Sequence, residues 1–341
     1  MSALIQLRSD SAANWASNNT VLADAEMGWA KDTGVMKIGN GTTPWLSLPN
    51  ILPNAGSSSV TLTNIEDPGS ADPDKLVIYS KKLAGRSILK VIGSSGRDVE
   101  MQAMFGRNRV GAFMPVGNAT TLTVVGSYTT PTAVGTASGR NVSTNNLFNR
   151  CRRMGWVSAA TTNAIVSLRV GVAQVTTGGV PGSGFFTLKR FGISDAVIVP
   201  GARMFVGVRN ITTAPTNVDL TTLTNCIGVG HNENQTNLSI FYGGSVAQTP
   251  IDLGPDFPVT ESNTDIYEFA LYAPPASESV FYEVSRLNTG HTATGVLTPN
   301  GGLALPTSNM LLSYMSAWRT NHASTGAVGL DIMGDYIETD F

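Results

Sequence analysis

Charge is scarce in this chain. Of 341 residues only 13% are Asp, Glu, Lys or Arg, about half the usual share for a soluble domain. The formal net charge is −2, so an electrostatic source for binding nucleic acid is missing. The densest basic stretches, Lys81-Lys82 and Arg150 to Arg153, read as surface or interface features. Cysteine is nearly absent. Cys151 and Cys226 have no CxxC spacing, which excludes a disulfide framework and leaves burial as small hydrophobes. The three histidines, His231, His291 and His322, lie far apart without an i, i+4 partner, so no metal site is expected from them. A long apolar run and a basic n-region are also lacking, which argues against a membrane span or a signal peptide. The product is expected to stay in the cell that makes it until that cell breaks open.

Catalytic signatures are missing too. There is no Walker-A sequence, no dinucleotide fingerprint and no GxSxG elbow. Gly179 to Gly184 is glycine-rich but falls between predicted strands and reads as a turn. The carboxylate pairs Asp252/Asp256 and Glu278/Glu283, and the acids Asp331, Asp335, Glu338 and Asp340, read as structural residues rather than as a glycosidase pair or a calcium loop. We expect no enzyme and no cofactor.

What fills the polar positions instead is Gly, Thr, Asn and Ser, which favour strands and turns. With 42% hydrophobic residues the chain is globular in composition. A low-charge surface of this kind is expected to be covered by copies of the chain or to carry neutral hydrogen-bonding groups. Three parts are expected: an opening block over 1–55, a hairpin connector over 56–117 and a large β domain over 118–341. The connector starts with Gly56 to Ser59. Apolar runs follow at Leu76 to Tyr79, Ile88 to Ile92 and Val99 to Met104, with turns at Leu83 to Arg86 and Gly93 to Gly96. So few strands bury too little to stand alone, so copies of the chain are expected to pack there.

The distal part alternates with period two at Leu122 to Val125, Ile165 to Val170, Phe185 to Phe191 and Met204 to Val208. Further segments are Ile266 to Tyr272, Val280 to Val284, Leu311 to Met315 and Val328 to Ile332. That pattern predicts a jelly-roll-like β-sandwich. One helix is expected at Asn145 to Met154, with Leu147, Cys151 and Met154 on one face. Aromatic and amide residues suited to a sugar cluster in two stretches. One holds His231, Asn232, Asn234 and Tyr242, the other Trp318, Asn321 and His322. Both are candidate receptor contacts; in the plainer reading, Phe241 and Trp318 are core and the Asn run is a turn.

The opening block has the densest pattern. Ser9, Asp10 and Ser11 can cap a short helix through Ser17. A hairpin follows, turning at Asp32-Thr33-Gly34, then a second turn at Gly39-Asn40-Gly41, and Trp45 can close over it. The order Gln6, Arg8, Trp15, Asn19, Val21-Leu22, Glu26, Gly28, Asp32-Thr33-Gly34, Lys37, Gly39, Gly41, Thr43, Trp45, Leu48-Pro49 resembles the N-terminal module of phage tail-fibre and receptor-binding proteins. The same pattern occurs in phage hyaluronidase and tropism-determinant N-termini. Departures are Ser9-Asp10, where many relatives have Arg-Gly, and the bulky Met27 and Trp29.

The resemblance implies a homotrimer on the phage tail, assembled in the host cytoplasm. Its module residues Arg8, Trp15, Glu26, Gly28, Asp32, Gly34, Lys37, Gly39, Gly41 and Trp45 would serve attachment to baseplate or tail proteins. The distal domain would then bind a host surface glycan, with no nucleic acid and no membrane insertion involved. A structural virion component without receptor specificity, or a glycan-degrading tail enzyme, are the alternatives.

Overall fold

The protein is described by a computed structural model over residues 8–51, 61–69, 75–93, 98–100 and 109–339. Gln6, the Gly56 to Ser59 stretch, Pro73, the turn after Gly93, residues 101–104 and Asp340 lie outside the described residues. The chain divides into two compact units, 1–63 and 64–341.

Unit 1 holds β1 (Arg8–Asp10), α1 (Ala12–Asn18), β2 (Met27–Ala30), β3 (Val35–Ile38) and a single 3-10 turn at Trp45–Ser47. The predicted cap forms. Ser11 Oγ accepts from the Asn14 amide at 3.2 Å, and Asp32 Oδ1 accepts from the Ala12 amide at 2.7 Å, which satisfies two helix N-terminal donors. β2 and β3 pair antiparallel, with Gly28 opposite Lys37, and β1 adds parallel to β2. Gly34 closes the hairpin at φ +72°, a conformation that L side chains rarely adopt.

Unit 2 is built around a sandwich of the expected all-β, jelly-roll-like class. It opens with β4 (Leu76–Leu83), β5 (Arg86–Gly93) and β6 (Asp98–Glu100), a three-stranded meander. Then come β7 (Arg109–Phe113), β8 (Val124–Gly126), β9 (Thr132–Val134), β10 (Thr136–Gly139), α2 (Leu147–Arg150), β11 (Met154–Val157) and β12 (Ile165–Arg169). β13 (Phe185–Ile193), β14 (Arg203–Arg209), β15 (Cys226–His231), β16 (Ser239–Gly243) and β17 (Ile251–Asp252) follow. The chain ends with β18 (Tyr267–Ala273), β19 (Val280–Arg286), β20 (His291–Leu297), β21 (Ser313–Thr320) and β22 (Gly329–Thr339).

One sheet has the order β10-β11-β22-β13-β18-β19-β20, with β7 and β8 continuing from β22. The facing sheet runs β17-β16-β15-β14-β21-β12-β9. The core lies between them, with Phe191, Phe269, Val284, Ile332 and Ile337 from the first and Met204, Val206, Ile227, Ile240 and Ala317 from the second.

The predicted helix at Asn145 to Met154 shrinks to one turn, with Asn146 as its cap. Leu147 is 40% exposed, Phe148 is the buried residue, and Met154 opens β11. The reason is Arg153, which donates to the carbonyls of Phe148 and Cys151 and to Asp331. That diverts the chain into the sheet. Several strands were not among the predicted segments, β7, β9, β10, β11, β15, β17 and β20 among them. β11 and β15 are buried at nearly every position, so alternation is lost.

The β4–β5 hairpin lies on the outer face of the first sheet. Arg86 forms a two-point ion pair with Glu338 (2.6 and 2.9 Å) and sits over the rings of Phe186 and Tyr272. The Ala84 amide donates to Glu283 Oε2 at 3.1 Å. Leu83 and Ala84 pack with Phe186, Leu188, Ala270, Tyr272 and Tyr336. The hairpin expected to need copies of the chain thus has apolar cover from its own unit. Asp331, Asp335 and Glu338 each meet a cation: Arg140 and Arg153, Lys189, and Arg86 respectively.

Lys189 and Asp335 meet at 2.8 Å inside the core, 3% and 1% exposed at the side chain. Burial pushes the lysine down and the carboxyl up, and their mutual attraction opposes both. Removing one partner strands the other. Lys189→Met is expected to cost about 3–5 kcal/mol in urea unfolding. The double variant Lys189→Met/Asp335→Leu should recover most of that loss, and a double variant as unstable as the single one would contradict this account.

Candidate functional site

The module residues of unit 1 act as one scaffold. Trp15 and Trp45 stack at 4.1 Å with 16° between planes, and with Leu22, Ala30 and Leu48 they form the buried core. Gly28 lies beneath both rings, where a Cβ would come within 2.6 Å of Trp45 and 3.2 Å of Trp15. Lys37, 8% exposed, donates from Nζ to the Trp45 carbonyl at 2.7 Å and sits 5.2 Å from the Trp45 ring centre. Burial holds its ammonium below the usual lysine range.

Arg8 caps the other face of the pair, 5.5 Å from the Trp15 ring centre, and reaches Glu26 at 3.3 Å. Glu26 also accepts from the Ala23 amide at 2.8 Å, which with Arg8 draws its carboxyl below the usual range. Gly39 packs directly against Leu22 and Ala23, and the Gly41 amide donates to the Leu22 carbonyl. The motif residues therefore hold the module's shape. Its outer hairpin face is apolar: Trp29 stands opposite Met36 and Met27 opposite Ile38, with Trp29 39% and Ile38 43% exposed. Met27 and Trp29, the bulky departures from the family pattern, belong to this face.

In unit 2 the two sugar-candidate stretches converge at one end of the sandwich. His322 Nδ1 lies 3.1 Å from Asn217 Nδ2. The Asn217 side chain also donates to Asn163 and accepts from Arg203. Arg203 in turn clasps Glu233 through both carboxylate oxygens. Asn232 bridges Asp219 and the Leu220 amide, and Asn234 is exposed. Asn217 and Asp219 belong to the 210–225 loop, which lies outside both candidate stretches. Its carboxamide and carboxylate residues gave a signal, but the loop's path over the sheet was not readable from the chain. Beside this rim Val197 and Ile198 are 79% and 47% exposed, and Val199 approaches Gly326.

Four of the candidates fall elsewhere. Trp318 is 0% exposed and packs under the 210–225 loop with Phe205, Leu220 and Phe241, so it offers no ring face to a sugar. Asn321 is likewise buried, and its side chain donates to the carbonyls of Thr161 and Gly326. Tyr242 packs at the edge of the main core, at the far end of β16.

His231 is 3% exposed, with Nε2 at 3.0 Å from Arg319 Nη1 and Nδ1 at 3.2 Å from the Asn232 carbonyl. Arg319 also pairs with Asp195. Burial, then the Arg319 charge, lowers the His231 pKa to about 3. A neutral ring with hydrogen on Nδ1 satisfies both neighbours.

A separate cleft of about 390 Å³ opens between the hairpin and β19–β20. Glu66, Lys81, Lys82, Glu283, Thr292 and Thr294 are among its polar lining. Burial raises the Glu283 carboxyl above its usual range.

Residues 5–43 match the family described as the major tropism determinant N-terminal domain, a phage tail and receptor-binding module. The resemblance seen in the opening block therefore holds. No curated protein matches the chain. Solved structures similar to it include the following three. A protein of unknown function from Shewanella oneidensis MR-1 has 11% identity, covers 70% of this chain and 89% of its own, and gives a TM-score of 0.42. Arcelin-5, a lectin-like defense protein from Phaseolus vulgaris, has 8% identity over 69% and 100%, with a TM-score of 0.45. The CBM2 module of an evolved Dit from Lactobacillus casei BL23 phage J-1 has 11% identity over 69% and 99%, with a TM-score of 0.38.

Two outcomes follow. Gly28→Ala forces a Cβ into the Trp15–Trp45 stack and is expected to cost unit 1 about 1–3 kcal/mol. Near-UV circular dichroism should lose the stacked-pair signal at lower denaturant, with the sandwich transition unmoved. His231 stays neutral in the folded chain while the unfolded ring titrates near pH 6.5, so its contribution is complete above that pH. It is lost as pH falls from about 6.5 toward 3, at up to about 1.4 kcal/mol per pH unit. His231→Gln can make both hydrogen bonds without titrating. The stability gap between wild type and this variant should shift in the variant's favour across that window; parallel pH curves would refute the assignment.

Proposed function

We propose that this protein is a phage tail receptor-binding protein. In this reading unit 1 fastens it to the virion and unit 2 binds a glycan on the host surface without cleaving it. The observation that carries the reading is unit 1. Its match to a phage module over residues 5–43 takes in Trp15, Leu22, Gly28, Ala30 and Lys37 of the scaffold that Trp45 closes, and a scaffold of that kind holds a surface in place rather than doing chemistry.

The apolar face of Trp29 and Ile38 is the attachment surface, resting on tail or baseplate protein. Three copies assemble into a fibre, and weak single sites then gain from avidity. The glycan reading is supported by the rim around Asn163, Asn217, Asn232, Asn234, Glu233 and His322. Its amides and carboxylates can exchange hydrogen bonds with hydroxyls, and Val197 and Ile198 add apolar contact.

One set of measurements tests this. Labelled full-length protein should bind host cells, and periodate oxidation of surface sugars should abolish binding while protease treatment leaves it. Protease-sensitive, periodate-resistant binding would exclude a glycan, and no binding at all would favour a structural virion component. Light scattering should give three chain masses. Trp29→Lys/Ile38→Lys should block incorporation into virions and leave cell binding by the free protein unchanged.

A further inference from the structure

Among the described residues, the arginines of unit 2 that lie out of water follow a rule with two exceptions. Arg86, Arg140, Arg153, Arg203, Arg286 and Arg319 are each buried or half-buried, and each meets a carboxylate. That is how a folded chain tolerates charge out of water. Arg169 and Arg209 have no carboxylate within ion-pair distance among the described residues, yet Arg209 is 6% exposed and Arg169 is half-buried. Arg169 Nη1 and Arg209 Nε are buried atoms without a hydrogen-bond partner.

The two side chains share a region. β12 and β14 both pair with β21, where Ser316 stands between Arg169 and Gly207. Arg209 follows two residues along β14. Val166 and Leu168 on β12, and Val206 and Val208 on β14, point into the core, so both arginines stand on the outer face. The row between them is Ser316 and Gly207, small residues that raise no wall. Arg169 Nε donates to the Thr212 carbonyl at 3.1 Å, which draws its guanidinium to the loop that leaves Arg209. The strand-neighbour of Arg209 is Cys226, whose thiol is pushed up to about 12 by burial and so stays neutral. Among the described residues no counter-charge faces the pair.

We propose that Arg169 and Arg209 form a binding site for a small oxyanion, a sulfate, phosphate or carboxylate group, either free or carried on a saccharide. Planar guanidinium forks with unpaired donors match such groups two bonds at a time. The low exposure of Arg209 admits a compact group and bars a broad macromolecular surface. The proposal stands independently of the receptor reading, because the site uses neither the rim nor unit 1.

Calorimetric titration of the full-length protein with sodium sulfate, against sodium chloride at matched ionic strength, is the test. Saturable sulfate binding is expected, weakened about tenfold or more in Arg169→Gln and in Arg209→Gln, a loss of about 1.4 kcal/mol or more. No saturable binding, or equal binding in both variants, overturns the proposal. Each Gln variant removes an unpaired buried charge, so thermal stability in sulfate-free buffer should hold or rise. Should a Gln variant fail to fold, Arg169→Lys keeps the charge without the fork and should show the same weakening. Sulfated dextran bound through the same arginines, with unsulfated dextran inert, would assign the anion to a saccharide, whereas inorganic sulfate alone would assign a free ion. Self-association lost in both variants without any sulfate uptake would place another chain's carboxylate there and overturn the proposal.

Discussion

The distal unit depends on a single strand, β22, and on the acids it carries in two directions. It pairs with β13 along one edge and with β11 and then β7 along the other. Leu330 and Ile332 face the core, and so do Asp335 and Ile337. Regular alternation cannot place residues 332 and 335 on the same face. The register shift against β13 between Arg190 and Phe191 supplies the extra residue that makes it possible. Asp331 therefore points outward to Arg140 and Arg153, Asp335 inward to Lys189, and Glu338 outward to Arg86. One strand thereby ties together the β10–β11 edge, the core and the hairpin. Each tie leaves a buried charge exposed to loss if its partner goes, so the ties specify an arrangement more than they add net stability.

Unit 1 meets the same problem of holding a small body together by a different route. With little apolar surface to bury, it stacks two tryptophans over a residue without a side chain and places a buried lysine on the ring and the carbonyl of one of them. The dense motif of the opening block is the imprint of that packing. Trp15, Gly28, Lys37 and Trp45 are the residues the stack needs, and Asp32 and Gly34 are those the helix start and hairpin turn need. The exposed apolar face of Trp29 and Ile38 is built from side chains this packing leaves free.

This divides what was legible in the chain from what was not. Turn chemistry and capping are local, so the helix at Ser11, the hairpin at Gly34 and the Leu83 to Arg86 turn could be placed from sequence. Strands with one wet face alternate, and β19, with its buried positions at every second residue, was visible for that reason. β15 is buried at all six positions, and its glycines Gly228 and Gly230 interrupt the apolar run. The receptor candidates failed by the same logic. An aromatic or amide residue near a predicted loop looks alike whether it faces solvent, as Asn234 does, or core, as Trp318 does. The 210–225 loop decides between them by lying across the sheet, and nothing local encodes that path. It buries Trp318 with Leu220 and Leu223 while carrying Asn217 and Asp219 to the rim.

The scarcity of charge acquires a cause once these placements are known. Most of the described cations in unit 2 that lie out of water are matched to carboxylates, so charge there is spent on internal joints rather than on the surface. The outer surface is left to Asn, Thr and Ser, whose neutral hydrogen bonds need no counter-ion and are weakly affected by salt. A surface of that kind suits a partner rich in hydroxyls. It also makes the unmatched pair, Arg169 and Arg209, stand apart. In a chain with charge to spare, two unpaired arginines would signify little. Here every comparable arginine among the described residues has its acid, and the deficit at this place on the sheet points to a negative group supplied from outside the unit.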